Sequence, residues 1–340
     1  MISHVMLSHH TRYQYDRPVC LGPQTIRLRP VATAKTPVRS YTLRIGPPCK
    51  QQTWQRDAYG NDVACVTFAE RVTHFDISVQ MEADISPRNP FDFVLRPDVT
   101  RWVPPSWRVQ SAPAMAGQRQ CVAADPHGSL AQSQSQSQSQ SQSQWSVPHQ
   151  PFYGAAQEYA ALAPYRQASA PGPRQLAFLQ DWVQKAPVET LEMLVGLNRA
   201  VAAHVGYQVR LEPGVWTPEE TLAQASGSCR DSAWLLIALL RNLGFAARFV
   251  SGYLIQATRN GEGEEILTCD LHAWAEAFLP GAGWIGFDTT SGLLTAQGHV
   301  PLAATPSPEH AAPVSGLLDH CQAVFDVSMQ AQRLYGQIEV

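Results

Sequence analysis

The sequence predicts an α+β chain, in which an antiparallel β-sandwich is followed by a helical unit packed on an antiparallel sheet. Three observations carry this. Up to about residue 101 the apolar pattern has a period of two, interrupted by turn residues. From Tyr153 onward apolar residues recur at helical spacing. Beyond Ala246 strand-like alternation returns around a glycine-rich turn. The 340 residues suit two domains, and 44% hydrophobic against 16% charged content supports a sizeable core. The expected organisation is a sandwich over 1–102, a proline-rich linker over 103–151, a second unit over 152–298 and a tail over 299–340 with one returning strand.

The N-terminal strands are read from alternation in His10–Tyr15, Gln24–Arg29, Tyr41–Ile45 and Phe75–Met81. Asp57-Ala58-Tyr59-Gly60-Asn61 is a turn between Thr53-Trp54 and Val63–Val66. Arg27, Arg29, Arg39 and Arg44 read as solvent-side residues of these strands rather than as an anion-binding face. The linker contains six consecutive Ser-Gln pairs, Ser133 to Gln144. A two-residue repeat without apolar side chains has no face to bury, so it is expected to be disordered. One or two helices follow, broken by Pro164 and Pro171-Gly172-Pro173, and Leu191 to Val205 forms another with Leu194, Leu197, Val201 and Val205 inward. After Gly292 the prolines at 301, 306, 308 and 313 make the tail loop-like until a last strand over Val324–Tyr335.

Gly227 to Tyr253 is the most informative stretch. Ser228 is a good N-cap, and Asp231 three residues on completes a capping-box-like pair. The following residues, Ala233 to Leu240 and Leu243, are apolar all round, which marks a buried helix. Gly244 stands where a left-handed C′ residue is needed. Cys229 therefore lies in the first helical turn, where free N–H groups and the helix dipole favour a thiolate.

A nucleophile needs a base, and the base an orienter. Asp270 to Gly292 reads as two strands around Pro280-Gly281-Ala282-Gly283. His272, Trp274, Glu276 and Phe278 share a face of the first, and Trp284, Gly286 and Asp288 a face of the second. Antiparallel pairing makes His272 and Asp288 diagonal neighbours in one of several registers. The chain order Cys229, His272, Asp288 is that of a papain-like triad. A competing chemistry is zinc, with Cys269 and His272 as half a ligand set and Cys229 or Glu276 as a third ligand. Alternation puts Cys269 and His272 on opposite strand faces, and no second close-spaced pair follows. Trp274, Trp284 and Tyr253 read as packing around the site, Asp231 and Arg248 as scaffold residues, and His204, His299, His310 and His320 as surface or loop histidines.

These motifs resemble the bacterial transglutaminase-like proteins, often described as cysteine proteases. The resemblance rests on Gly227-x-Cys229-x-Asp231; on Gly244, Ala247, Arg248, Val250, Ser251, Gly252 and Tyr253; on His272-Ala273-Trp274-x-Glu276; and on Gly283-Trp284 with Asp288. Thr289 stands where that family usually has proline. Tyr13-x-Tyr15, Pro18-Val19, Asp57 and Gly60-Asn61 extend the likeness to the N-terminal region. It implies a papain-like transglutaminase core over 152–298, with Cys229 as nucleophile, His272 as base and Asp288 as its orienter.

The implied chemistry is acyl transfer on a peptide or protein substrate through a thioester, with no cofactor and no metal. Hydrolysis is expected over transfer to an amine acceptor; protein-glutamine gamma-glutamyltransferase activity and a catalytically silent binding module are the alternatives. A second oxyanion donor is expected from Tyr207, Gln208 or Trp216, and the activity could need a separate partner domain or subunit. The net charge of −3 shows no basic stripe for nucleic acid, and no apolar run is long enough to span a membrane. Seven scattered cysteines and an N-terminus without an apolar signal core point to a reducing, cytoplasmic setting.

Overall fold

The computed structural model describes residues 3–32, 36–103, 153, 157–259, 261 and 263–334. The expected linker over 103–151 lies outside them apart from Val103, as does its Ser-Gln repeat. The chain is α+β. Its N-terminal strands are β1 (Ser3–Val19), β2 (Leu21–Ile26), β3 (Val38–Gly46), β4 (Gln51–Arg56), β5 (Asp62–Thr67) and β6 (Val72–Ile85). Alternation is realised directly: in β6 the odd-numbered Phe75, Ile77, Val79, Met81 and Ala83 are buried. At the β4–β5 turn the Asp57 carboxylate accepts the N–H groups of Tyr59 and Asn61.

The helical part comprises α1 (Ala163–Arg166), α2 (Pro173–Lys185), α3 (Thr190–His204), β7 (Gly206–Tyr207), α4 (Pro218–Gln224), β8 (Ser226–Gly227) and α5 (Cys229–Asn242). The strands β9 (Ala247–Arg259), β10 (Glu265–Leu279), β11 (Gly283–Asp288), β12 (Leu293–Leu294) and β13 (His299–Thr305) follow, then β14 (Val314–Leu318) and β15 (Ala323–Leu334). The helix-associated sheet has the order β12-β11-β10-β9-β13. Helices α3 and α5 share a core with Phe249, Ala273, Ala275, Ala277 and Leu279 of this sheet.

The stretch after Gly292 differs from its loop-like reading. It contributes an edge strand, β13, to the helix-associated sheet, and β14 and β15 pair with β2 and β1. Pro301 is accommodated because β13 pairs on one side only and its register slips between Pro301 and Ala303, so the missing N–H breaks no ladder on the outer side. Each sandwich sheet is thus a four-stranded sheet completed from the far end of the chain, β15-β1-β6-β3 and β14-β2-β5-β4.

The two halves share a core. Tyr253, Ile255, Cys269, Val300 and Leu302 pack with the sandwich residues Leu7, Ile26, Ile77 and Val79. Tyr253, expected at the site, instead meets His9: its hydroxyl lies 2.8 Å from His9 Nδ1, and His9 Nε2 reaches Thr11 Oγ1. Odd-numbered positions of β9 face the sandwich or α5, which is why Tyr253 points away from the face that carries His272. Val99 and Trp102 are buried in the helix-associated core, so the chain crosses over before residue 103. Two of the sandwich arginines have local structural partners: Arg39 pairs with Asp84, and Arg29 stacks on Tyr41 and Trp54.

Candidate active site

The start of α5 is held by a buried carboxylate. Asp231, fully buried, accepts the N–H and the hydroxyl of Ser228 on Oδ2 at 2.8 and 2.7 Å and the N–H of Trp216 on Oδ1 at 2.8 Å. Arg210 Nε lies 3.5 Å away and supplies the countercharge. These contacts fix both the first helical turn and the 210–216 loop beside it. Asp231 is the scaffold residue its position suggests. At the other end, Gly244 has φ +92°; its N–H donates to Arg241 O and that of Phe245 to Leu240 O, a Schellman closure. Cys229, at the first position of α5, is partly exposed.

His272 comes from β10 and Asp288 from the end of β11. The pairing runs from Leu279↔Gly283 to Ala275↔Phe287, which continues to Trp274 opposite Asp288 and makes His272 the diagonal neighbour. His272 Nε2 lies 3.1 Å from Asp288 Oδ1. The Cys229 thiol is close enough to His272 to raise its pKa. With Nε2 committed to Asp288, Nδ1 is the nitrogen left for sulfur. Burial pulls the imidazole pKa down, but the hydrogen bond to Asp288, the Cys229 thiol and the charges of both groups outweigh it, leaving it at about 9. Burial pushes the Asp288 carboxyl up, yet the imidazoles of His272 and His299 and the Thr290 N–H hold it far below the carboxylate range.

Asp288 is heavily supported. Oδ1 also accepts Thr290 N–H at 2.9 Å and Oγ1 at 2.8 Å, and Oδ2 accepts Ser291 Oγ at 3.0 Å. From α3, buried Asn198 donates to the backbone carbonyls of Asp288 and Leu293. Thr289, where proline is usual, is buried and donates to Ser232 Oγ at 2.8 Å; Ser232 in turn donates to the carbonyls of Ser228 and Cys229. The departure from proline therefore ties the Asp288 loop to the turn carrying Cys229.

His299 is the site residue that sequence reasoning missed. Its Nε2 is 3.5 Å from Asp288 Oδ2, and its ring stands edge-on to Trp274 at 5.2 Å. The only signal in the sequence was an alternating HVPLAAT run, obscured by Pro301. Trp274 is buried over Gly252, where a Cβ would meet its ring at 2.4 Å, so glycine is required there. Arg248 pairs with Glu276 at 2.6 Å and stacks on Trp284 at 4.2 Å; Glu276 also lies 3.5 Å from Trp274 Nε1. These residues brace the even-numbered face of β10. Cys269, the candidate zinc partner of His272, is buried in the sandwich-facing core, where burial pushes its thiol up to about 12. The ligand set Cys269, His272 and Glu276 is not assembled. Of the expected oxyanion donors, the backbone N–H of Gln208 goes to Gly227 O and that of Trp216 to Asp231. Tyr207 is more than half exposed, and its hydroxyl pKa is raised by partial burial and by the negative charges of Cys229, Asp270 and Asp288.

Comparison with known proteins identifies two family regions along the chain. Residues 5–84 match the model of the bacterial transglutaminase-like N-terminal region, and residues 177–289 that of the transglutaminase-like superfamily. An uncharacterized protein of Mycobacterium tuberculosis is 25% identical over 334 residues, covering 95% of this chain and 90% of the relative. YebA of Bacillus subtilis is 32% identical over 72 residues, 20% of this chain and 10% of that protein. A crystal structure from Cytophaga hutchinsonii, described as a "putative cysteine protease", superposes with a TM-score of 0.63 at 16% identity, over 99% of this chain and 93% of that one. That likeness is one of fold. The chain thus carries a bacterial transglutaminase-like N-terminal region followed by a transglutaminase-like superfamily region.

Proposed function

We propose that the protein is a cysteine enzyme that hydrolyses peptide or amide bonds through Cys229, His272 and Asp288. The observation that supports this reading is a single imidazole bonded to a buried carboxylate and set near a thiol at a helix N-terminus that raises its pKa. In the proposed reaction Cys229 Sγ attacks the carbonyl carbon, and the oxyanion is met by the Cys229 N–H and the Tyr207 hydroxyl. The C–N bond then breaks, and His272 Nδ1 gives its proton to the leaving amine. Water attacks the thioester as His272 takes one of its protons, the C–S bond breaks, and the Cys229 thiolate leaves with the acid released. Asp288 holds Nε2–H and so keeps Nδ1 as the working nitrogen. An amine in place of water would give transglutamination by the same steps.

The test is rapid acid quenching with mass spectrometry on a panel of peptide and amide substrates. A Cys229-linked acyl group is expected, formed far more slowly in His272→Ala than in Asp288→Ala, because His272 performs both proton transfers. Wild-type turnover in Cys229→Ala would overturn the thiol mechanism. A silent binding module would trap no acyl group at any substrate concentration. The six described cysteines are free, which suits a reducing compartment, and a cytoplasmic location is part of the proposal.

A further inference from the structure

We propose that the extended segment from Tyr207 to Leu211 is a substrate-docking edge, which takes a peptide chain in extended form with apolar side chains at alternate positions. The inference deepens the proposed hydrolysis and rests on it for the identity of the occupant; the binding itself does not require turnover.

The segment follows α3 and is fastened to the turn that carries Cys229. The N–H groups of Gly206 and Gln208 donate to Ala225 O and Gly227 O, both at 2.9 Å. Arg230, the neighbour of Cys229, donates through Nη2 to the carbonyls of Arg210 and Glu212 at 2.9 and 3.1 Å. The Arg210 side chain reaches Asp231 and stacks on Trp216 at 4.3 Å. Even-numbered positions thus hold the segment to the first turn of α5. Tyr207 pairs with Gly227, two residues before Cys229. With strands about 4.8 Å apart and about 3.3 Å of rise per residue, the segment starts roughly 8 Å from Cys229.

Odd-numbered positions are exposed. Tyr207, Val209 and Leu211 are 59%, 73% and 74% accessible, while Gln208 and Arg210 between them are partly buried. Single apolar residues are ordinary on a surface, but three at alternate positions of one extended run make a continuous apolar stripe. In an extended chain the main-chain groups of alternate residues point to the same edge. Those of the even-numbered residues go to β8 and Arg230, and among the described residues no hydrogen bond reaches the main chain of Val209 or Leu211. An open main-chain edge with alternate apolar side chains is the pattern that receives an added strand: main-chain bonds give affinity and side-chain positions give specificity. Continuity with the site names the occupant. A strand laid along 207–211 runs beside the helix start that carries Cys229, so it delivers its own carbonyl groups to the sulfur.

The probe is a dye-labelled, glycine-flanked peptide with leucine at three alternate positions and serine between them. Its binding to full-length Cys229→Ala protein is followed by fluorescence anisotropy. It should bind at least about 10-fold tighter than the same peptide with aspartate for leucine. Val209→Ser with Leu211→Ser should weaken it by a similar factor. Val209→Lys with Leu211→Lys should reverse the preference toward the aspartate peptide, which an unfolded variant would not do. Of two leucine peptides N-methylated at opposite sets of alternate amides, one should bind and the other should not, because only one edge pairs. Hydrogen exchange at the Val209 and Leu211 amides should be fast in the free protein and slow in the complex. Equal affinity for the leucine and aspartate peptides, no binding of either, or an edge already protected, as by pairing with a second copy of the chain, overturns the docking edge. In protein with Cys229 intact, the double serine variant should raise KM for apolar peptides of the hydrolysis panel far more than it lowers kcat. Binding without turnover on any peptide leaves the edge standing and overturns the hydrolysis; turnover indifferent to the double serine variant does the reverse.

Discussion

Replacing Asp288 by alanine removes the acceptor of His272 Nε2–H and leaves a histidine whose side chain is 7% exposed with burial as its main influence. In the intact protein burial is outweighed, and the imidazole sits at about 9 rather than 6.5. At 1.36 kcal/mol per pH unit, that difference corresponds to about 3 kcal/mol in favour of the imidazolium, as an upper figure. Because the folded value is raised, this stabilisation is fully present below pH 6.5 and is lost as pH rises through about 9. In Asp288→Ala the His272 pKa should fall markedly, and the alkaline loss of stability between pH 6.5 and 9 should flatten. The assay is NMR titration of the His272 ring, assigned by His272→Gln, with denaturant unfolding across the same pH range. A His272 pKa that is near 6.5 in the intact protein, or unmoved by Asp288→Ala, would refute the pairing.

Two further outcomes follow from the scaffold. Asp231→Ala strands buried Arg210 and frees the Ser228 and Trp216 N–H groups, so urea unfolding should show a loss of about 3–5 kcal/mol. A change below about 1 kcal/mol would mean the helix start does not depend on that carboxylate. Tyr207→Phe should lower kcat by about 10- to 1000-fold with KM little changed, if its hydroxyl meets the oxyanion; a pure KM effect would make Tyr207 a substrate contact instead.

Local chemistry made much of the site legible. The capped start of α5, its apolar run and its glycine stop are properties of adjacent residues, and the strand alternation around Gly281 and Gly283 put His272 and Asp288 on one face. What sequence left open was set by distant pairing. The β10–β11 register depended on which residues the turn used, and the structure settles on Leu279↔Gly283. His299 reached the site only because β13 pairs with β9, His299 opposite Leu254, despite Pro301. Tyr253 was misplaced because both faces of β9 are covered, and alternation alone does not say which cover holds the active site. The expected last strand is present as β15, but its pairing with β1, and the strand Val314–Leu318 that pairs with β2, complete the sandwich in a way no local pattern announces. Thr289 and Asn198 act through hydrogen bonds between elements, which spacing in the chain does not reveal.

The most direct measurement of whether Cys229 is a primed nucleophile is iodoacetamide alkylation at neutral pH, followed by peptide mass spectrometry over time. Cys229 is partly exposed and near enough to His272 to raise its pKa, Cys20 is more exposed, and Cys269 is buried with its thiol pushed up to about 12. Cys229 should be modified well before Cys20, Cys65 and Cys321, with Cys269 last, and His272→Ala should erase the lead of Cys229. Equal labelling of all these thiols, or Cys20 reacting first, would contradict the assignment.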